Sequence, residues 1–431
     1  MSVRKPTLIR GGRVIDPASN LDAPRDVLLR DGKVAAIENP GSIKAPGAES
    51  IDAKGLVVAP GLIDIHVHLR EPGQGYKETI ATGTAAAAAG GFTAVCAMPN
   101  TTPVNDSPEI TRWIQAPERG ASIGVLPIAA ATRGSLGEML TDYAALKDAG
   151  AVAVTDDGHP ILGDAIMLES LRAATSAGLP VIQHAEDTRL TAGAAMNAGA
   201  LAFRLGLRGM PIEAESGLVE RDIALLQQVP GAHLHVAHLS TEKALDAVRA
   251  ARKQGLHVTC EVTPHHFALT ENRIGLYDTN AKMNPPLRSE SDRAAMIAGL
   301  LDGSIDAIAT DHAPHALHEK EQEFDRAPNG ITGLETALGL AIHILHLRHK
   351  LPLAKVLAFL TVRPAQALGL SGLGTLTPGS PADLVVFDPA EKWTFHAADS
   401  LSKSKNTPFD GWELQGRVHL TIRQGQVAYR R

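Results

Sequence analysis

A chain of 431 residues exceeds the usual single compact domain, but a barrel of about 250 residues with an appended module would fit it. A formal net charge of −6, a pI near 6.3 and Lys and Arg scattered without a dense run argue against a nucleic-acid face or a polybasic membrane patch, leaving a small molecule as the expected partner. Cys96 and Cys260 alone cannot form a disulfide framework, no signal-peptide pattern opens the chain, and no apolar stretch reaches the roughly 18 to 20 residues that span a bilayer, so a soluble cytoplasmic protein is expected.

The first stretch, TLIRGGRVIDPASN, RDVLLRDGKVAAIE and ESIDAKGLVVA, has short β-type runs broken by Gly, Asp and Pro, with Asp31-Gly32 as a hairpin signal. It reads as all-β to about residue 58. Strands are then expected at 62 to 68, 93 to 98, 123 to 129, 151 to 156, 180 to 184, 233 to 238, 257 to 262 and 305 to 310. Helix-like segments separate them, for example ETIATGTAAAAAG, SLGEMLTDYAALKDAG, TEKALDAVRAARKQG and SESDRAAMIAGLLDG, each closing on Gly as a C-terminal cap. Residues 185 to 232 are long for one connection, but IEAESGLVERDIALLQQV within them has helical periodicity. Eight such alternations predict an α/β fold, a (β/α)8 TIM barrel over 59 to 369. The end of the chain, GTLTPGSPADLVVFDP and GRVHLTIRQGQVAYR, returns to short strands, and 1 to 58 plus 370 to 431 are expected to form a small composite β-sandwich domain.

The unusual polar residues fall at the C-terminal ends of these strands. His66 and His68 end the first, Asp156 and Asp157 the fourth, His184 the fifth and His238 the sixth, and Asp311 follows the eighth. Alternation along a strand points His66, His68 and Arg70 the same way. In a parallel barrel those ends converge on one mouth, so residues distant in sequence become neighbours. Four His and one or two Asp suit zinc or a similar divalent ion and are too many for one tetrahedral site. Two ions could polarise a carbonyl and supply hydroxide near neutral pH, which points to hydrolysis. Any one of these His alone would pass for a hydrogen-bonded structural residue, and only their joint placement argues for metal. His235 and His257, away from the strand ends, are expected to be structural. His265 and His266 are expected to line the mouth without binding metal.

Together GLIDIHVHLREPG, CAMPNTTPV, VTDDG, IQHAED, VAHLST, TPHHF, MNPPLR and ATDHAPH resemble the amidohydrolase superfamily, and within it the dihydroorotases of the class I bacterial type. The likeness runs over nearly the whole chain, including the SPADLVVFD tail. It implies up to two zinc ions per subunit, one among His66, His68, Asp157 and Asp311, the second among Asp157, His184 and His238. Motif alignment favours Asp157 over Asp156. Many relatives place a carboxylated lysine at this position, whereas TDDG offers none. The resemblance further implies that Arg70 and Asn100 hold a substrate carboxylate, with Asn284, His315 and the zinc-side His68 completing the pocket and backbone groups of Asn329 and Gly330 closing over the ring.

The implied reaction is reversible cyclisation of N-carbamoyl-L-aspartate to dihydroorotate, with Asp311 moving the proton. Residues 315 to 330 are charged without a clear apolar period and are expected to form a mobile loop that orders over the substrate. Hydantoinase, dihydropyrimidinase or allantoinase activity is the nearest rival, against which Arg70 argues by favouring an anion. A non-catalytic scaffold for aspartate transcarbamoylase is a rival of another class, against which the retained ligands argue. The resemblance also leaves room for a homodimer and for a complex with aspartate transcarbamoylase, for which no residue argues.

Overall fold

The computed structural model describes residues 5 to 431. Five strands come first: β1 (Thr7–Asp16), β2 (Leu21–Arg30), β3 (Lys33–Glu38), β4 (Glu49–Asp52) and β5 (Val57–Pro60). The β2–β3 hairpin turns at Asp31 and Gly32, whose φ values of 52° and 74° are those the Asp-Gly pair favours. The parallel strands begin with β6 (Leu62–Val67), β7 (Phe92–Ala97) and β8 (Gly124–Pro127). They continue through β9 (Val181–Gln183), β10 (Met196–Asn197), β11 (Gly209–Met210), β12 (Leu234–Val236), β13 (Val258–Val262) and β14 (Ala307–Ile308). The chain ends on β15 (Leu384–Thr394), β16 (Glu413–Arg423) and β17 (Gln426–Arg430).

The parallel strands form two sheets, β6-β7-β8 and β14-β13-β12-β9. Bridges Ala129↔Val154 and Val154↔Val181 join them on one side, and Val67↔His312 on the other. The expected strand at 151 to 156 is therefore reduced to the single bridge residue Val154, although its neighbours still bond outward, Thr155 N to Ala129 O (2.9 Å) and Ile182 N to Val154 O (2.9 Å). Every residue of β6 and β7 is buried, which explains continuous apolar runs in place of alternation. β10 and β11 form a separate two-residue parallel pair inside the long connection, which the sequence did not announce.

Helices cover the strands, and their starts follow side-chain caps. Thr79, Thr241 and Ser289 accept backbone N–H groups at the heads of Ile80–Ala89, Glu242–Lys253 and Glu290–Asp302. Glu213–Leu226 fills the long connection as its periodicity implied. Two expectations need correction. The helix-like segment at 135 to 150 is helical only over Tyr143–Asp148, because Gly134 and Gly137 take φ of 62° and 70° just before it. The Glu242–Lys253 helix is capped by Gln254, one residue short of the glycine.

The two ends of the chain meet in one sheet of order β17-β16-β15-β5-β1-β2-β3, with β4 added on β1. Ile9, Val14, Val27, Val58, Leu384 and Ile422 form its own apolar cluster. Burying side chains of this size contributes about 1.5 to 3 kcal/mol each before the entropy of ordering is set against it. No helix among the described residues is long and apolar enough to cross a membrane.

Candidate metal and substrate site

The C-terminal ends of the parallel strands carry the chemistry. His66 lies on β6 and His68 just beyond it, His184 follows β9, His238 follows β12, and Asp311 follows β14. Asp157 stands three positions past the bridge at Val154. Arg70, His238 and Asp311 adopt φ of 60°, 30° and 45°, a left-handed backbone that is costly for such residues and concentrates where geometry is imposed.

Potential ligand atoms come within 4.8 Å of one another in three groups, His66 with His68 and Asp157, His66 with His238 and Asp311, and Asp157 with His184 and His238. His66 Nε2 lies 3.4 Å from Asp157 Oδ1 and 3.6 Å from Asp311 Oδ1, and His68 Nε2 lies 3.0 Å from Asp311 Oδ1. His66 Nε2, His184 Nδ1 and both ring nitrogens of His238 are buried with no hydrogen-bond partner. Buried imidazole nitrogens are normally satisfied, so unpartnered ones on three histidines that are grouped with Asp157 and Asp311 are what a metal site requires. Asp156 does not join them. It accepts from Thr132 N (2.9 Å) and from the Thr132 hydroxyl.

Electrostatics follow from this crowding. Burial opposes charge on His66, but the carboxylates of Asp311, Glu261 and Asp157 outweigh it and raise its pKa well above the usual imidazole value. Burial would raise Asp157, yet His66, His68 and His184 draw it well below the carboxylate range. His238, buried and facing His184 and His66, is pushed well down.

A cleft of about 270 Å³ opens over the cluster, lined by His68, Arg70, Asn100, Asp157, His184, His238, Asn284, Asp311, His315 and Asn329. Arg70 is buried, which lowers its pKa; its Nε donates to Pro314 O (3.1 Å) and its Nη2 to His315 Nε2 (3.2 Å). Since a guanidinium only donates, His315 Nε2 accepts, while Nδ1 lies 3.4 Å from Lys77 Nζ and 3.5 Å from Glu319 Oε2. Burial and the cations Arg70, Lys77 and Lys320 push His315 down to about 2, so it is neutral. Asn100 has its Oδ1 2.8 Å from His68 Nδ1 and donates from Nδ2 to Asp157 Oδ2 (3.0 Å), which leaves one N–H of the amide for the cleft. Asn284 donates to Glu186 Oε2 (2.7 Å). Asn329 Oδ1 is buried and unpartnered, and Gly330 packs so closely that a Cβ there would sit 2.5 Å from Ala313 O.

Residues 315 to 330 are pinned at several points. Lys320 Nζ donates to Pro328 O (2.8 Å), Lys282 Nζ to Ala327 O (2.7 Å), and Glu319 meets Lys77 at 3.1 Å. His265 and His266 are buried beside the site, His266 bonded to Thr263 and Pro285 O, and neither belongs to the three ligand groups. His235 is bonded within the strands, and His257 stacks on His233.

Two carboxylates of the site escaped the sequence reading. Asp64 accepts from His66 N (3.1 Å) and Thr310 N (3.1 Å), and burial raises it to about 7. Glu261 lies 2.6 Å from His66 Nδ1; burial would raise it, but His66 and His235 take it down to about 2. A lone acid inside an apolar strand was the available signal for each.

Residues 55–244 match a family described as Dihydro-orotase-like. A dihydroorotase of Solibacter usitatus is 49% identical over 427 residues, covering 99% of this chain and 98% of the relative. One of Anaeromyxobacter sp. is 50% identical over 425 residues, covering 98% and 97%. Among solved structures, an L-hydantoinase (dihydropyrimidinase) from Arthrobacter aurescens superposes with a TM-score of 0.87 at 25% identity, covering 98% of this chain and 96% of that one. A dihydropyrimidinase from Brevibacillus agri gives 0.84 at 25% identity, with 99% and 95% covered.

Proposed function

The chain belongs to the dihydroorotase family, and on that footing we propose that it catalyses the reversible, zinc-dependent cyclisation of N-carbamoyl-L-aspartate to (S)-dihydroorotate in de novo pyrimidine (UMP) biosynthesis. The observation that carries the reading is the buried Arg70 beside the four unpartnered imidazole nitrogens, a cation for an anionic substrate next to a metal-type cluster. We read the two parallel sheets and their bridges as a (β/α)8 barrel over 59 to 369, and the sheet shared by 1 to 58 and 370 to 431 as a composite β-sandwich domain.

His66, His68, Asp157 and Asp311 would hold one zinc, and Asp157, His184 and His238 a second. Bound there, zinc supplies a Lewis acid for the ring amide carbonyl and hydroxide near neutral pH. The chain's own residues do the rest. Arg70 holds the substrate carboxylate through the N–H groups left free by Pro314 and His315. Asn100, engaged by His68 and Asp157, reaches the substrate from the same wall, while Asn284, His315, Asn329 and Gly330 close around the ring. In hydrolysis water adds to the amide carbonyl and the C–N bond breaks; Asp311 takes the proton from the water and delivers it to the leaving nitrogen. Cyclisation runs the same transfers backwards.

The test is hydrolysis of dihydroorotate by purified protein with zinc counted in parallel. Turnover with one or two zinc per chain is expected, and Asp311→Asn should lose about 10²- to 10⁴-fold in kcat. Faster opening of hydantoin than of dihydroorotate would assign the neutral cyclic amides instead, and no turnover after zinc addition would favour a scaffold. We further propose a cytoplasmic enzyme, a homodimer, and a complex with aspartate transcarbamoylase. Separate elution of the two proteins at micromolar concentration would count against that complex.

A further inference from the structure

Behind the site lies a column of polar side chains that neither the proposed ligands nor the substrate pocket uses. Strands β12 and β13 pair in parallel with His235 opposite Thr259. The two-residue period then puts Glu261 on the same face as Thr259, one step nearer the site, and His233 on the same face as His235, one step farther away. The contacts are continuous. His233 Nε2 and His235 Nδ1 each lie 2.8 Å from Thr259 Oγ1, His235 Nε2 lies 3.3 Å from Glu261 Oε2, and Glu261 Oε1 lies 2.6 Å from His66 Nδ1. Glu261, His235 and His66 are fully buried.

Counting protons gives this column a direction. A carboxylate only accepts, so His66 Nδ1–H and His235 Nε2–H both donate to Glu261. A neutral His235 then has a lone pair on Nδ1, which takes the Thr259 hydroxyl proton, and Thr259 Oγ1 in turn accepts from His233 Nε2–H. Every group of the column is satisfied, and His66 Nε2, 3.4 Å from Asp157 Oδ1 and 3.6 Å from Asp311 Oδ1 and without a hydrogen-bond partner, is left as the nitrogen that faces the proposed ion. Reversing any one bond would leave two donors or two acceptors facing each other.

We propose that Glu261 is a positioning residue of the metal centre, holding His66 in the Nδ1–H tautomer and raising the basicity of its Nε2, and that His235, Thr259 and His233 hold Glu261 in turn. The proposal rests on the reading of His66 as a metal ligand. Carboxylates in this relation to a ligating histidine fix its ring and strengthen it as a ligand, and their removal weakens metal binding by about 10- to 100-fold.

Glu261→Gln keeps the shape and removes the charge. Zinc affinity of the metal-free full chain would be measured by chelator competition, with the thermal midpoint recorded alongside and the visible spectrum of the cobalt(II)-substituted protein read as a signature of the ligand field. The expected result is zinc binding weaker by about 10- to 100-fold, with shifted cobalt bands and a folded protein. Wild-type affinity and spectrum in Glu261→Gln, with binding lost in His66→Ala, would overturn the proposal. Wild-type affinity in His66→Ala would instead sink the ligand reading on which it stands. If Glu261→Gln does not fold, Thr259→Val decides, because it deletes only the shared hydroxyl: a loss near tenfold supports the column, and unchanged affinity refutes it.

Discussion

At the scale of single residues, the adjacent acids Asp156 and Asp157 have opposite duties although the sequence writes them side by side. Asp157 lies among imidazoles, and Asp156 closes onto Thr132. Asp156→Ala should therefore destabilise the fold by about 1 to 3 kcal/mol, the cost of orphaning buried donors, and leave bound zinc unchanged. Asp157→Ala should strip metal and activity together. Metal analysis beside thermal melts checks both, and zinc lost from Asp156→Ala alone would reverse the assignment. The pair His66 and His68 was legible because a strand's period is fixed. Glu261 was not, since its partner His66 is 195 residues away and nothing in VTCEV marks the contact. Neighbouring acids such as 156 and 157 are likewise inseparable until the backbone says which way each points.

Among elements, the existence of strands was easier to read than their extent. Seven of the eight expected runs contain a strand, and the eighth, at 151 to 156, survives as the bridge residue Val154, with Val152 and Thr155 also bonded to the chain around β8. The pair β10 and β11 is two residues long, too short to show any period. The segment 315 to 330 illustrates the opposite limit. Its charged composition suggests solvation, but Lys320 and Lys282 turn their ammonium groups inward to cap its carbonyls. Gly330 ends it against His315, whose Cδ2 would lie 2.6 Å from any added Cβ. Gly330→Ala should push His315 away from Arg70 and lower kcat/KM by about 10²-fold, as a displacement near 1 Å does, and should also lower the melting temperature, because the new Cβ meets the backbone oxygen of Ala313 as well. Steady-state kinetics on dihydroorotate would show it, and an unchanged kcat/KM would mean that the contact does not govern the pocket.

For the whole molecule, buried neutral imidazoles set the response to acid. Burial pushes His233 to about 3, His266 to about 4 and His315 to about 2. In each the folded pKa lies below the unfolded value near 6.5, so between the two the unfolded chain binds more protons and stability falls as pH falls. In the zinc-free protein these imidazoles should accordingly lower the melting temperature progressively below about pH 6.5, outweighing Asp64, which burial raises to about 7 and which works the other way by protonating first in the folded chain. Calorimetry across that range tests the sign, and a melting temperature that rises on acidification would contradict it. The sheet shared by the two ends of the chain has a consequence in time. β5 pairs β15 from Val57 to Pro60, so the flank opened by β1 to β4 has no neighbour on that side until Leu384 to Phe387 have been made. During synthesis an apolar strand edge waits while the whole parallel array is translated, and such edges recruit other chains. A chain stopped before Leu384 should thus appear in the insoluble fraction even though every proposed ligand is present, and its recovery as a soluble monomer would show that the opening strands shield themselves.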